Sequence, residues 1–219
     1  MKIKLIDLRA YYINLHSDKR KKVHTQRLLE SLGFKAITRC PGFLQDNYMV
    51  GHGSAYRNVL ISRQDKGDPF ILFEDDIEVT HFDHIIEVPD DADAVYLGVS
   101  KMGMVNGKDE EELIVSKVEG YDHVYRIYNM LATHAILYLN MDYVRSAAEA
   151  GDRYLEQGLP YDLGIAENMK NWKVYALDKP MFIQYPKFRY YTDTAISKLP
   201  NVIEKKKNKI NKWFKQTKG

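Results

Sequence analysis

The sequence predicts an α/β domain whose central sheet is mostly parallel, with helices on both sides. Segments rich in aromatic and β-branched residues alternate with segments of helical periodicity along most of the chain. The 219 residues suffice for one sizeable domain, and 45% hydrophobic with 28% charged residues is ordinary for a globular protein. Because no repeat or Pro/Gly/Ser-rich linker interrupts the chain before residue 198, we expect a single domain over residues 1–197.

The first strand and the first helix have clear boundaries. Ala10–Leu15 is aromatic and β-branched, as strands usually are. Ser17 or Asp18 can cap a helix that runs to about Leu32, and Gly33 is suited to end it.

A second strand, a second helix and a third strand follow. Phe34–Cys40 has strand composition, and the next two residues, Pro-Gly, predict a turn. Residues 53–67 space their apolar side chains along one helical face. Phe70–Phe73 predicts a buried strand, because four consecutive apolar residues are bounded by polar ones.

The second half of the chain predicts further strands and one long helix. Residues 92–99 form another apolar strand, and strand-like segments recur within residues 125–140. Residues 141–158 predict a helix, and residues 172–185 predict one or two late strands. The alternation of strands and helices thus continues close to residue 185.

Three consecutive carboxylates, Glu74, Asp75 and Asp76, follow the third strand. In parallel sheets, ligands bind beyond the carboxyl ends of the strands, which is where this triplet falls. Alternation along a strand would place Glu74 and Asp76 on one face and Asp75 on the other. Two such carboxylates can hold one hard divalent cation, which relieves their mutual repulsion. Solvated acids, or a cap for a following helix, are the structural alternatives.

Five stretches carry a further signal when they are taken in order. They are YYINLHSDKR, GHGSAYRNVLISRQDKGDPFILFEDDIEV, DAVYLG, THAILYLNMDYVRSAAEA and LPYDLGIAENMKNWKVYALDKPMFIQ. Together they resemble the motifs of glycosyltransferase family 25, the lipopolysaccharide and collagen-type sugar transferases, over about residues 11–184. One position departs from that family: the His that usually follows the helix-start Ser54 is Ala55 here, so its role is absent or falls to His52.

The resemblance implies a GT-A type fold and transfer of a sugar from a nucleotide-diphospho-sugar, most simply a UDP-sugar, to a glycan or lipid-linked saccharide. It also implies Mn²⁺ or Mg²⁺ to stabilise the departing diphosphate. By that similarity Asp76 is the direct metal ligand, Glu74 lies near the metal or the ribose, and Asp75 takes a catalytic place near the sugar hydroxyls. Ser54 belongs to the donor-binding helix start.

Residues outside the triplet complete the expected site. Asn14 and Arg20 follow the first strand and can meet base and phosphate, although Arg20 lies in a charge run typical of a solvated helix face. Asp162 is the candidate base for an inverting mechanism, or else a helix N-cap. Gln184 matches a recurrent Gln of the family and is expected at the diphosphate. His134, in an apolar strand, is expected to be a core residue.

The charge is distributed unevenly along the chain. Residues 198–219 hold eight lysines and one glutamate, a local charge of +7, whereas the whole chain carries +2. On a helix, Ile203, Ile210 and Trp213 or Phe214 would share one side, giving a basic amphipathic tail suited to an anionic membrane surface. Attraction to nucleic acid and a disordered solubilising end are the alternatives.

Cysteine usage and hydropathy predict a cytoplasmic location, with peripheral contact at the inner face of the membrane through the tail. Cys40 is the single cysteine, so no internal disulfide forms. The N-terminal stretch is interrupted by Asp7 and Arg9 and lacks the apolar run of a signal peptide. No stretch approaches the roughly 20 apolar residues of a spanning helix.

Two rival functions remain open from the sequence. One is a sugar transferase that acts on modified bases in DNA, which the lysine-rich tail would attract. The other is a non-catalytic nucleotide-sugar-binding module on a degenerate transferase scaffold, which the departure at Ala55 keeps open.

Overall fold

The computed structural model describes residues 1–184 and 194–204 and confirms the α/β class. Within these residues the α-helices are α1 (Lys19–Ser31), α2 (Tyr48–Gln64), α3 (Met141–Leu155) and α4 (Tyr161–Asn168). The strands are β1 (Lys2–Lys4), β2 (Arg9–Asn14), β3 (Ala36–Pro41), β4 (Phe70–Phe73), β5 (Ile77–Val79), β6 (Ile85–Glu87), β7 (Ala94–Tyr96), β8 (Gly103–Val105), β9 (Lys108–Glu110), β10 (Leu113–Val118), β11 (Tyr121–Ile127), β12 (Ala135–Tyr138), β13 (Val174–Leu177), β14 (Phe182–Gln184) and β15 (Val202–Glu204).

The main sheet of the described chain has nine strands in the order β15-β10-β11-β13-β7-β12-β4-β2-β3. Four neighbouring pairs are parallel and four are antiparallel. The sheet is therefore mixed, where the sequence predicted a mostly parallel one. The difference arises because β12 inserts between β4 and β7 in the opposite direction, and because β10 and β11 form a hairpin.

β4 is a fully buried strand at the centre of the half of the sheet that leads to the acidic triplet. All four of its residues are inaccessible to solvent, as predicted from its apolar run. β2 runs parallel to β4, with Tyr12 opposite Phe73, so both strands end at the same edge. Since β12 runs antiparallel to β4, its first residue, Ala135, also lies opposite Phe73. The ends of β2 and β4 and the start of β12 consequently meet at one edge of the sheet.

Helices cover both faces of this sheet. The apolar cluster on one face includes Tyr56 of α2, Tyr143 of α3 and Ile165 of α4. The cluster on the other face includes Leu29 of α1 together with Phe73. Many of the tyrosines serve this core, and the buried hydroxyls of Tyr56 and Tyr138 hydrogen-bond each other at 2.8 Å.

The helix starts follow from their caps. Asp18 caps α1 as predicted, since its carboxylate accepts a hydrogen bond from the backbone N–H of Lys21 at 3.0 Å. α2 begins at Tyr48, earlier than predicted from the sequence, because Asn47 caps it by accepting the Met49 N–H at 3.1 Å. Its internal Gly53 permits close packing, since a Cβ there would lie 2.8 Å from the Cβ of Tyr161.

The fold continues past residue 197, where the sequence predicted the domain to end. β15 pairs in parallel with β10, with Val202 opposite Leu113, so the main sheet includes residues as far as Glu204. Ile203, which was expected on the apolar side of a helical tail, is part of this strand. The rest of the predicted tail, residues 205–219, lies outside the described residues. Among the helices of the described chain, none is long and apolar enough to span a membrane.

The contact between α3 and α4 gives a test of this packing. A Cβ at Gly164 would lie 2.2 Å from the backbone oxygen of Ala150, which cannot move without displacing α3. Gly164→Ala is expected to lower the free energy of unfolding by about 2 kcal/mol or more, measured by urea denaturation. Glu149→Ala, on the exposed side of α3, is the control and should change it by no more than about 0.5 kcal/mol. Equal stability of Gly164→Ala and the wild type would contradict this close approach.

Candidate active site

The acidic triplet occupies a turn at the carboxyl edge of the sheet. β4 ends at Phe73 and β5 begins at Ile77, so Glu74, Asp75 and Asp76 connect the two strands. The alternation of side chains predicted from a strand therefore does not extend to the acids. The position at the strand end, where α/β sheets receive ligands, agrees with the sequence analysis.

Glu74 is held on three sides although it carries a buried charge. Its carboxylate accepts a hydrogen bond from the Thr133 hydroxyl at 2.8 Å and another from the side-chain amide of Gln184. The imidazole of His52 lies 3.6 Å from it. Burial would raise the pKa of Glu74, but His52 and Thr133 outweigh it and lower the pKa. Glu74 is therefore an ionised, fixed group.

Asp75 and Asp76 share one cation, Lys21 of α1. Its ammonium lies 3.1 Å from Asp75 and 3.5 Å from Asp76. Burial opposes the positive charge, yet the two carboxylates raise the pKa of Lys21 above its ordinary value. The Lys21 side chain is 42% exposed, so it can leave the acids without disrupting the core.

Asn14 and Asp75 form a rigid support beneath the turn. The Asn14 amide donates to the second carboxylate oxygen of Asp75 at 2.7 Å and to the backbone oxygen of Asp18 at 3.1 Å, and its oxygen accepts from Arg39. The backbone oxygen of Asp75 accepts from the Thr25 hydroxyl at 2.8 Å. Both carboxylate oxygens of Asp75 are thus engaged, and these contacts join β2, α1 and the turn.

Asp76 fits a role as ligand of a divalent cation. Its Oδ1 is buried and accepts no hydrogen bond from the described residues. Burial and the nearby Glu74 carboxylate raise the pKa of Asp76 to about 6, as expected for an acid that lacks full compensation. Within the described residues, no three His, Cys, Asp or Glu side chains converge as a ready-made metal cage. Mg²⁺ sites in nucleotide enzymes commonly use one or two carboxylates and complete the shell with substrate phosphates and water.

The side chain of His52 lies beside the acidic turn. Ala55, where the sequence departs from the family pattern, is buried in the core. His52 lies three residues earlier, and its imidazole faces Glu74. Partial burial disfavours its charge, but the Glu74 carboxylate more than offsets this and raises the pKa of His52 to about 9. It is therefore a cation at neutral pH.

Asp162 lies in the first turn of α4 and is oriented by an unusual backbone. Its Oδ2 accepts the N–H of Ala132 at 3.2 Å. Ala132 has a φ of 77°, a left-handed conformation that costs a residue with a Cβ roughly 1–2 kcal/mol. Such strain is typical of functional sites. Burial raises the pKa of Asp162, with the Ala132 N–H opposing, and a raised pKa suits a general base.

The remaining candidates lie at different distances from the acids. Gln184, at the end of β14, is buried, and its Oε1 has no hydrogen-bond partner among the described residues. His134 is a core residue, as expected, with Nε2 3.3 Å from the backbone oxygen of Phe182.

Ser54 is half-buried, about 200° around α2 from His52. Arg20 is exposed on α1, and no hydrogen bond or ion pair joins Arg20 or Ser54 to the acids in the part of the chain that the structure describes.

Sequence reasoning missed Lys21 and Thr133 and gave little weight to His52. The position of Lys21 on the inner face of α1 could have been predicted from its spacing. It lies four residues before Thr25 and eight before Leu29, which are both buried on α1. Thr133 precedes β12 and reaches Glu74 only because that strand runs antiparallel to β4. No local pattern indicates that direction.

The raised pKa of Asp162 predicts a gain in stability when its charge is removed. Below the unfolded-state pKa the carboxyl is protonated in both states, and above the folded-state pKa the folded protein retains a poorly compensated, half-buried charge. Asp162→Asn should therefore raise the thermal midpoint at neutral pH, and the gain should shrink as the pH falls below the folded-state pKa and vanish below the unfolded-state pKa. Asp142→Asn, an exposed acid in the first turn of α3, is the control and should show no such gain. A lower midpoint for Asp162→Asn at neutral pH would contradict a half-buried, poorly compensated charge.

Comparisons with known proteins give structural likenesses at low sequence identity. The chain matches no protein-family model, and no curated protein matches it either. A CTP:phosphocholine cytidylyltransferase from Streptococcus pneumoniae is similar in structure, with 11% identity, a TM-score of 0.44 and coverage of 82% of this chain and 93% of its own. A nucleoside-diphosphate-sugar pyrophosphorylase from Vibrio cholerae RC9 shows 10% identity, a TM-score of 0.41 and coverage of 94% and 80%. At these values neither likeness carries an argument about the chemistry of this chain.

Proposed function

We propose that the protein is a glycosyltransferase that uses a nucleotide-diphospho-sugar, most simply a UDP-sugar, to modify a saccharide or lipid-linked saccharide. The observation that carries this proposal is the buried Oδ1 of Asp76, which has no hydrogen-bond partner among the described residues and lies beside two further carboxylates at the carboxyl edge of β4. This is where an α/β sheet places a charged ligand. The resemblance to glycosyltransferase family 25 supports sugar transfer in particular.

The charges of the site support a divalent cation as the cofactor. Glu74, Asp75 and Asp76 face Lys21 and the protonated His52, which leaves one negative charge, and the nearby Asp162 adds another. One Mn²⁺ or Mg²⁺ would balance this excess. Asp76 and Glu74 would hold the ion, which would neutralise the charge of the departing diphosphate.

The protein's own groups have distinct roles in this scheme. Lys21 and His52 are cations within reach of the acids and would attract the diphosphate. Asp75, with both oxygens engaged, would hold the turn in position rather than contact the sugar. Asp162 would accept the proton of the acceptor hydroxyl if the configuration inverts, since its carboxylate is fixed and its pKa is raised.

A screen of nucleotide sugars with Asp76→Asn tests this function. In the presence of Mn²⁺, the wild type should release nucleoside diphosphate from one donor, and Asp76→Asn should lower that rate by about 100-fold. Asp68→Asn, an exposed acid just before β4, is the matched control and should retain the wild-type rate. Release of pyrophosphate from a nucleoside triphosphate and a sugar phosphate would replace the proposal with nucleotidyl transfer. Donor binding without Asp76-dependent turnover would identify a non-catalytic module.

Lys21 gives a second prediction, which concerns the ion alone. Because its ammonium shares the carboxylates with the expected cation, Lys21→Met should tighten Mn²⁺ binding by about tenfold, measured by calorimetry without nucleotide. Lys22→Met, on the exposed face of the same helix, is the control and should leave the affinity unchanged. Unchanged or weaker Mn²⁺ binding by Lys21→Met would show that the ion does not use these acids.

A further inference from the structure

The carboxyl edge of the main sheet has a second feature, which lies outside the acidic site. The loop between β3 and α2, together with the first turn of α2, exposes four large apolar side chains within residues 43–49, which we call the exposed loop. Leu44 is 84% exposed and Tyr48 is 74% exposed, while Phe43 and Met49 are exposed by 37% and 38%. Elsewhere among the described residues, the most exposed large apolar side chain is Ile85, at 56%. A contiguous apolar patch of this kind usually marks an interaction site.

The exposed loop is anchored firmly at its base. The N–H of Gly42 donates to the backbone oxygen of Asn14 at 3.0 Å, which ties the start of the loop to the end of β2. The backbone oxygen of Phe43 packs so closely on α2 that a Cβ at Gly51 would lie 2.4 Å from it. The loop therefore presents Leu44 and Tyr48 outward from a fixed support, because its backbone is held on both sides.

Basic side chains lie at the start of α1, near the base of this apolar surface. β2 and β3 are neighbours with Asn14 opposite Pro41, so α1, which follows β2, begins beside the exposed loop. Lys19, Arg20 and Lys22 are exposed in the first turn of α1, and no ion pair neutralises them within residues 1–184 and 194–204. Asp46 is the single acid of the exposed loop. The surface thus combines an apolar projection with a net positive border.

We propose that the exposed loop and the first turn of α1 form a membrane-docking surface for a bilayer that contains anionic lipids. Leu44 and Tyr48 would enter the boundary between headgroups and acyl chains, where apolar residues and tyrosine are favoured. Lys19, Arg20 and Lys22 would contact the negatively charged headgroups.

Charge and shape favour a bilayer over a protein partner. An anionic bilayer matches both parts of this surface, because its headgroups attract lysine and arginine and its interfacial region accepts leucine and tyrosine. Leu44 and Tyr48 also project from a loop rather than line a groove, which suits insertion into a fluid interface. Because the loop lies at the carboxyl edge of the sheet, docking would turn the acidic site towards the membrane, where a lipid-linked acceptor resides.

Vesicle sedimentation of the full-length protein tests the docking surface without any donor, so it can fail independently of the proposed function. The wild type should bind vesicles of phosphatidylcholine mixed with phosphatidylglycerol more strongly than phosphatidylcholine alone, and less strongly at high salt. The double variant Leu44→Ser/Tyr48→Ser should lose about tenfold or more in partitioning. Lys19→Glu/Lys22→Glu should lose the preference for anionic lipid. Ile85→Ser, which removes the most exposed large apolar side chain found elsewhere in the described residues, is the control and should bind like the wild type.

Insertion of the loop can be separated from attraction of the lysine-rich tail. The two native tryptophans give a background fluorescence, which is measured with the wild type and subtracted. In Leu44→Trp, the fluorescence of the added tryptophan should be quenched by brominated lipids. In Ile85→Trp, the added fluorescence should not be quenched. The proposal is overturned if the protein ignores anionic vesicles, if the loop variants bind like the wild type, or if Leu44→Trp is not quenched. Binding of a protein partner that depends on Leu44, without binding to vesicles, would also replace it.

Discussion

The hydrogen bonds that hold Asp75 from β2 and α1 are the interactions on which the geometry of this edge depends. Three carboxylates in consecutive positions repel one another, and burial increases that repulsion. Lys21 joins two of them, and Asn14 and Thr25 hold Asp75 from β2 and α1. Because these contacts come from separate elements, the turn is fixed only when the sheet and α1 are assembled. Within residues 1–184 and 194–204 no group donates a hydrogen bond to Asp76 Oδ1, and a rigid support with one such oxygen is suited to ligand binding.

The opposite side of the acidic turn contacts other elements of the fold. Glu74 meets His52 from α2, Thr133 from the segment before β12 and Gln184 from β14. Ala132, in its left-handed conformation, adjoins this group and directs its N–H at Asp162. The edge thus combines a well-compensated half around Glu74 with a strained half around Asp162. Strain of this kind persists only where the surrounding packing determines the backbone.

Local sequence patterns predicted a substantial part of this arrangement. The apolar run of β4, the Asp18 cap of α1 and the acidic triplet at a strand end all follow from short-range rules. The site residues that were missed depend on long-range geometry. Thr133 reaches Glu74 because β12 enters the sheet in the opposite direction, and His52 lies within α2 because that helix begins at Tyr48, earlier than the sequence predicted. The predicted alternation of the acids failed because it assumed that β4 continues beyond Phe73.

The strand order also determines the distance between the exposed loop and the last strand, β15. β3 and β15 are the two outermost strands of the nine-stranded sheet within the described residues. Eight inter-strand spacings of about 4.8 Å separate them by roughly 40 Å along the sheet, several times the screening length at physiological salt. The exposed loop follows β3, whereas Glu204 ends β15 at the other outer strand. A charge beside one outer strand is therefore screened from a charge beside the other, so these two sides of the sheet would each meet an anionic surface independently.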